Sequence, residues 1–113
     1  MDDEYLERAL NFIRDKASEY ADAKATRIHL WEFRKSKKAL LMRNAELAGY
    51  KTAAAQEREA YADDEYVELL EGLKVAVEKE EVLRYQMKAA ELKLDVWRSK
   101  EASQRAEKKR YGA

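Results

Sequence analysis

Residues 66–97, YVELLEGLKVAVEKEEVLRYQMKAAELKLDVW, decide the fold. Tyr66, Leu70, Leu73, Ala76 or Val77, Glu80, Leu83, Met87, Ala90, Leu94 and Trp97 recur there at steps of three and four. That spacing keeps one side of an α-helix apolar, and a stripe sustained through several heptads is the pattern of a coiled-coil seam. Glu80 is its one polar insert, and Gly72 inside it is expected to allow a close approach between helices. A second series occupies the same segment: Val75, Val82, Tyr85, Ala89, Leu92 and Val96. Val75 follows Leu73 by two residues, about 200° around a helix. The two stripes are nearly opposed, so one hairpin partner covers only one of them. The other calls for a further helix, most simply from a second copy of the chain. Val75, Val82, Tyr85, Leu92 and Val96 are therefore the expected oligomer interface.

Toward the N-terminus, Leu6, Leu10, Ile13, Ala17, Tyr20, Ile28, Trp31, Met42 and Ala45 follow helical steps over residues 3–48. Lys35 and Lys38 interrupt that face, and Phe33, Leu40 and Leu41 indicate a stripe drifting around the helix. Asp2, Asp3 and Glu4 suit the positive end of the helix dipole. Gly49 is placed as a C′ cap and Thr52 as the next N-cap, which makes 49–52 the turn. Short turns set helices antiparallel and adjacent. The second helix spans 53–110; Asp63-Asp64 offers a fresh N-cap, so the pattern near 62–64 is compatible either with a kink or break or with a continuous helix. The expected seam is Leu6, Leu10, Ile13, Tyr20, Ile28 and Trp31 against Leu70, Leu73, Val77, Leu83, Met87, Leu94 and Trp97.

Composition agrees. Ala, Glu, Lys, Leu and Arg supply 70 of the 113 residues, with three Gly, no Pro and no Cys. That favours long helices and excludes disulfide scaffolds and Cys-based zinc sites, while strands and tight turns lack their residues. Leu, Ile, Val and Phe total only 21 residues, enough for a thin seam that self-association would complete. The fold class is all-α: an elongated, coiled-coil-like antiparallel helical hairpin, a single domain over 1–113, dimerising into a helical bundle.

The 23 basic and 23 acidic residues are sorted into blocks. Lys24–Arg43 carries +6, Glu57–Glu81 carries −7 and Arg84–Arg110 carries +5. Folding about residues 50–51 lays the first block along the second. Exposed ion pairs contribute little stability each, so the matching bears on register and orientation. The tail, residues 99–113, is expected to project past the first helix and holds Lys100, Arg105, Lys108, Lys109 and Arg110.

Chemistry-bearing patterns are absent. His29 is the lone histidine, and only Glu32 shares its face, short of a helical metal set. Ser18, Ser36, Ser99 and Ser103 lie in no glycine-flanked elbow, and the isolated glycines form no phosphate loop. No cofactor and no small-molecule substrate are expected. Lys35, Lys37 and Lys38, with the tail cations, are candidate contacts for nucleic acid or an acidic partner. Tyr50 and Tyr61 mark the hairpin tip as a candidate partner contact. No apolar run approaches a bilayer span, and the acidic start is unlike a signal peptide, so the expected location is cytoplasmic with no membrane partner.

The stretch from Gly49-Tyr50-Lys51-Thr52-Ala53-Ala54-Ala55 through Tyr61-Ala62, then Asp64-Glu65-Tyr66 and Glu91-Leu92-Lys93-Leu94-Asp95-Val96-Trp97-Arg98-Ser99, resembles small helical proteins of tailed phages and prophages, whose genes often sit among replication and recombination genes. The resemblance covers residues 49–99 and implies a phage origin, a bacterial host cytoplasm and an accessory role in DNA metabolism. It carries no activity and no functional residues. The expected function is that of a non-enzymatic, self-associating accessory protein that binds another protein. The alternative is a nucleic-acid-binding factor of phage replication or recombination acting through basic helix surfaces.

Overall fold

The computed structural model describes residues 3–112. Asp2, expected at the start of the first helix dipole, and Ala113, the end of the basic tail, lie outside the described residues. The chain is an all-α helical hairpin. Its elements are α1 (Asp3–Leu47), α2 (Ala53–Ala62) and α3 (Asp64–Arg110), and the described residues contain no strand.

Local chemistry sets each boundary. Gly49, at φ +106°, ends α1. Its N–H bonds to the Glu46 carbonyl at 3.1 Å and the Tyr50 N–H to the Ala45 carbonyl at 3.1 Å. That pair of bonds is a Schellman cap, which needs a residue tolerant of positive φ. Thr52 is extended and its Oγ1 accepts from the Ala55 N–H at 3.1 Å, satisfying one of the free donors that open α2. Gln56 Nε2 donates to the Tyr50 carbonyl at 2.9 Å and ties the turn to the same helix. The second arm is interrupted at Asp63, whose ψ of 137° leaves the helical region. Its Oδ1 accepts from the Glu65 N–H at 2.8 Å and so starts α3. Asp64 and Glu65 sit in the first turn of α3 and Lys108, Lys109 and Arg110 in its last, both favourable to the dipole.

The chain divides into two compact units, one of Ala21–Glu80, the other of α1 up to Tyr20 with α3 from Glu81 onward. In the second of these, Ala9, Leu83 and Ala90 are buried, with Leu6, Ile13, Lys16, Tyr20, Met87, Leu94 and Trp97 half-buried. In the Ala21–Glu80 unit, Leu41, Ala60 and Tyr66 form a small core beside Met42. Ala23, Ala45, Leu73, Ala76 and Glu80 are also buried there.

Both long helices thus turn a heptad face inward. On α3 it reads Tyr66, Leu69, Leu73, Ala76, Glu80, Leu83, Met87, Ala90, Leu94 and Trp97. On α1 it reads Ala9, Ile13, Lys16, Tyr20, Ala23, Arg27, Leu30, Arg34, Lys37 and Leu41. Five expected seam residues fall outside: Leu10, Ile28, Trp31, Leu70 and Val77 are 40–49% exposed. Each follows an inward position by one residue, which is about 100° of rotation. Ala17 is likewise exposed. The inward face of α1 takes small alanines and long cations, whose methylene stems pack while their heads reach water or a carboxylate. Gly72 gives no close approach, because a Cβ there would meet nothing within 4 Å.

Charge matching is visible within the Ala21–Glu80 unit. Arg27 makes a two-pronged contact with Glu80, Nη2 reaching Oε1 at 3.1 Å. Lys37 pairs with Glu65 at 3.1 Å and Lys38 with Glu57 at 3.4 Å. The turn position alone would set residue 27 opposite residue 74. Side chains lean toward the N-terminus of their own helix, so in an antiparallel pair Arg27 and Glu80 lean toward a common level.

Candidate interaction surface

The site is built on the side of α3 turned away from its seam. Val75 is 64% exposed, Val82 51%, Tyr85 59%, Leu92 55% and Val96 44%. Ala89, which completes the heptad between Tyr85 and Leu92, is exposed as well. These are the five residues that the sequence marks for an oligomer interface. A shallow groove on this side continues from Leu92 and Val96 past Ser99 to Ser103. Scattered apolar residues are ordinary on a surface, but a heptad of them on one helix face, interrupted only by Glu78, is not.

Charged residues border the stripe. Glu81 accepts from Arg84 at 2.7 Å and Asp95 pairs with Arg98 at 3.6 Å, each within α3. The hydrogen bond that Arg84 donates to Glu81 is the main reason its guanidinium is held above its usual range. Arg84 also lies 4.6 Å from the Tyr85 ring centroid, keeping that ring against the helix surface.

The basic candidates separate into two groups. Lys35 pairs with Glu32 at 3.6 Å, and Lys37 and Lys38 are tied to Glu65 and Glu57. In the tail, no ion pair among the described residues involves Lys100, Arg105, Lys108, Lys109 or Arg110, and all five are exposed. Arg110 lies 5.9 Å from the Tyr111 ring centroid.

At the tip, Tyr50 is 39% and Tyr61 45% exposed. Tyr61 meets the buried Tyr66 edge-on at 5.3 Å, and Lys38 Nζ lies 4.7 Å from the Tyr61 ring centroid. The hydrogen bond to Tyr61, followed by the pairing with Glu57, holds Lys38 above the ordinary lysine value of 10.5. Among the seam candidates, Trp31 stands under Arg34 at 4.0 Å, while Trp97 Nε1 is buried without a hydrogen-bond partner among the described residues.

One feature escaped the sequence reading: a cleft of about 490 Å³ bordered by Tyr5, Arg8 and Phe12 of α1 and by Gln86 and Lys93 of α3. The signal for it is present, since Tyr5 and Phe12, and Gln86 and Lys93, are each one heptad apart. Neither pair lies on an apolar stripe, so periodicity alone passes over them. His29 is exposed and stacks on Phe33 at 5.9 Å. Among the described residues no three His, Cys, Asp or Glu side chains cluster to hold a metal ion, and no helix is long and apolar enough to cross a membrane. Compared with protein-family models, curated proteins and solved structures, the chain matches none.

Proposed function

We propose that the chain is a non-enzymatic accessory protein that pairs with a second copy of itself and binds another protein, in the cytoplasm of a bacterial host. The observation that carries this reading is the outer face of α3, where five large apolar side chains stand 44–64% exposed in heptad order. Fully burying a Val or Leu contributes about 1.5–3 kcal/mol, so covering five half-exposed side chains supplies several kcal/mol toward association. The resemblance of residues 49–99 to small phage proteins agrees with an accessory role. Tyr50 and Tyr61 at the tip offer aromatic anchors for the protein partner.

Light scattering tests self-association, and a strict monomer at high micromolar concentration overturns it. Val82→Glu and Leu92→Glu place a charge in the stripe and are expected to weaken assembly far more than Lys79→Glu. Capture of a specific host or phage protein, lost when Tyr50 and Tyr61 are both replaced by Ser, tests the second half.

The tail favours a second reading, contact with nucleic acid, because its five cations have no ion-pair partner among the described residues. Binding to single- and double-stranded DNA over a salt series decides it. Neutralised phosphates give a log–log salt slope of about −0.7 to −0.9 each. Removal of residues 99–113 is then expected to abolish binding, whereas absence of a salt slope rejects the reading.

A further inference from the structure

Resting on the self-association just proposed, we infer that the occupant of the outer α3 face is the same face of a second copy, laid antiparallel about a two-fold axis between Leu83 and Arg84. The argument is charge complementarity along the edges of the stripe. The residues immediately before Val75, Val82, Ala89 and Val96 are Lys74, Glu81, Lys88 and Asp95. They alternate in sign at heptad spacing along one edge. The opposite edge, after Glu78, Tyr85 and Leu92, carries Lys79, Gln86 and Lys93, and one heptad on lies Lys100. That edge has no acid.

In an antiparallel pair each edge meets its own copy. With Val82 opposite Tyr85 of the second copy and Val75 opposite its Leu92, Glu78 faces Ala89, the smallest side chain of the stripe. Lys74 then meets Asp95 of the second copy, and Glu81 meets its Lys88. Symmetry repeats both pairs, so four ion pairs form with no like-charge contact on that edge. The other edge sets Lys79 beside Gln86 and Lys93 beside Gly72. Arg84 and Arg98 already hold the two acids at the helix surface, at 2.7 Å and 3.6 Å.

The competing arrangements fail on the same residues. A slip of one heptad in one direction sets Glu81 on Asp95 and Lys88 on Lys88. The opposite slip sets Glu81 on Glu81 and Lys74 on Lys88. A parallel, in-register pair brings the two edges together and sets Lys74 on Lys79 and Lys88 on Lys93. Like charges at such positions select against a pairing, as they do in coiled coils.

The test uses the full chain, which has no cysteine. A nitroxide on Ser103→Cys reports orientation. At 1.5 Å per residue the two labels of the antiparallel dimer stand about 60 Å apart, against on the order of 10 Å in a parallel one. Glu81→Lys and Lys88→Glu are each expected to weaken the dimer about tenfold, since each turns two attractive contacts into repulsive ones. The combined Glu81→Lys/Lys88→Glu chain regenerates the pairs and is expected to recover most of the loss. Glu81 is half-buried and Lys88 exposed, both off the hairpin seam, so unchanged helicity by circular dichroism confirms that the hairpin persists. A monomer by light scattering overturns the self-association itself. A dimer with labels at short distance, or one in which the double exchange gives no recovery, overturns only the antiparallel register.

Discussion

Arg27 and Glu80 sit where a coiled coil ordinarily places two apolar side chains, and a double-mutant cycle on them measures what the polar pair does. The Glu80 side chain is 8% exposed and the Arg27 side chain 34%. The asymmetry predicts unequal single effects. Arg27→Met removes both guanidinium contacts from a buried carboxylate, and breaking a buried pair in this way costs about 3–5 kcal/mol. Glu80→Leu leaves a guanidinium that is already a third exposed and can turn to water, so about 1 kcal/mol is expected once solvent screening is allowed for. The double variant has no stranded charge and a continuous apolar seam, and is expected to equal or exceed the parent. The coupling energy is then about 4–6 kcal/mol. Thermal melts followed by circular dichroism, with urea titrations in parallel, resolve this, because 1 kcal/mol moves the midpoint of a domain near this size by about 4–8 °C. Arg27→Met should therefore melt more than 10 °C below the parent. Additive single effects, with coupling under about 0.5 kcal/mol, or an Arg27→Met chain as stable as the parent, would refute the account of the polar seam.

Other perturbations have definite directions. Gly72→Ala should stabilise the chain by about 1 kcal/mol, because the position is helical and a Cβ there meets nothing, and urea unfolding reads the gain. Gly49→Ala, at φ +106°, should cost about 1–2 kcal/mol by forcing a side chain into the left-handed region, seen as a lower melting temperature. Thr52→Ala should cost about 1 kcal/mol through loss of the α2 cap, measurable by the same melts. Lys38 is held above its ordinary value of 10.5, first by Tyr61 and then by Glu57, so its contribution is complete below pH 10.5 and fades as pH rises through the folded value. Lys38→Met should therefore fall more steeply behind the parent at neutral pH than in strong alkali, and a constant difference across that range would reject the assignment.

Much of this molecule is legible because its signals are local. Gly49, Thr52 and Asp63 act on backbone groups within three residues of themselves, so helix ends could be read without knowing any partner. The stripe of α3 was legible for a related reason: a heptad repeated from Tyr66 to Trp97 has one phase. The series Val75–Val96 was readable as lying off the seam because its phase opposes the first. Seam membership on α1 was not. There the inward positions are Ala9, Lys16, Ala23, Arg27, Arg34 and Lys37 more often than Ile13, Tyr20, Leu30 or Leu41. The large apolar residues Leu10, Ile28 and Trp31 lie one residue off the inward line. The cleft of Tyr5, Phe12 and Lys93 was missed for the same reason, since it joins residues from two helices whose facing levels no single repeat reveals.

What the sequence determined by itself is therefore the pair of helical arms, the turn between them, the antiparallel order and the sign pattern of their charges, while the break of the second arm at Asp63 was open. Each depends on steps of three, four or seven residues, or on a cap reading its own neighbours. Tertiary structure decided which of two adjacent residues turns inward, Leu69 rather than Leu70 and Ala76 rather than Val77. It also decided that Arg27 reaches Glu80 and that the cations Lys37 and Lys38 are engaged across the hairpin. Those outcomes depend on the phase of one helix against another. Phase is set by the sum of many small packing and charge terms over both helices, and two residues 100° apart on a helix offer similar local preferences until a partner surface distinguishes them.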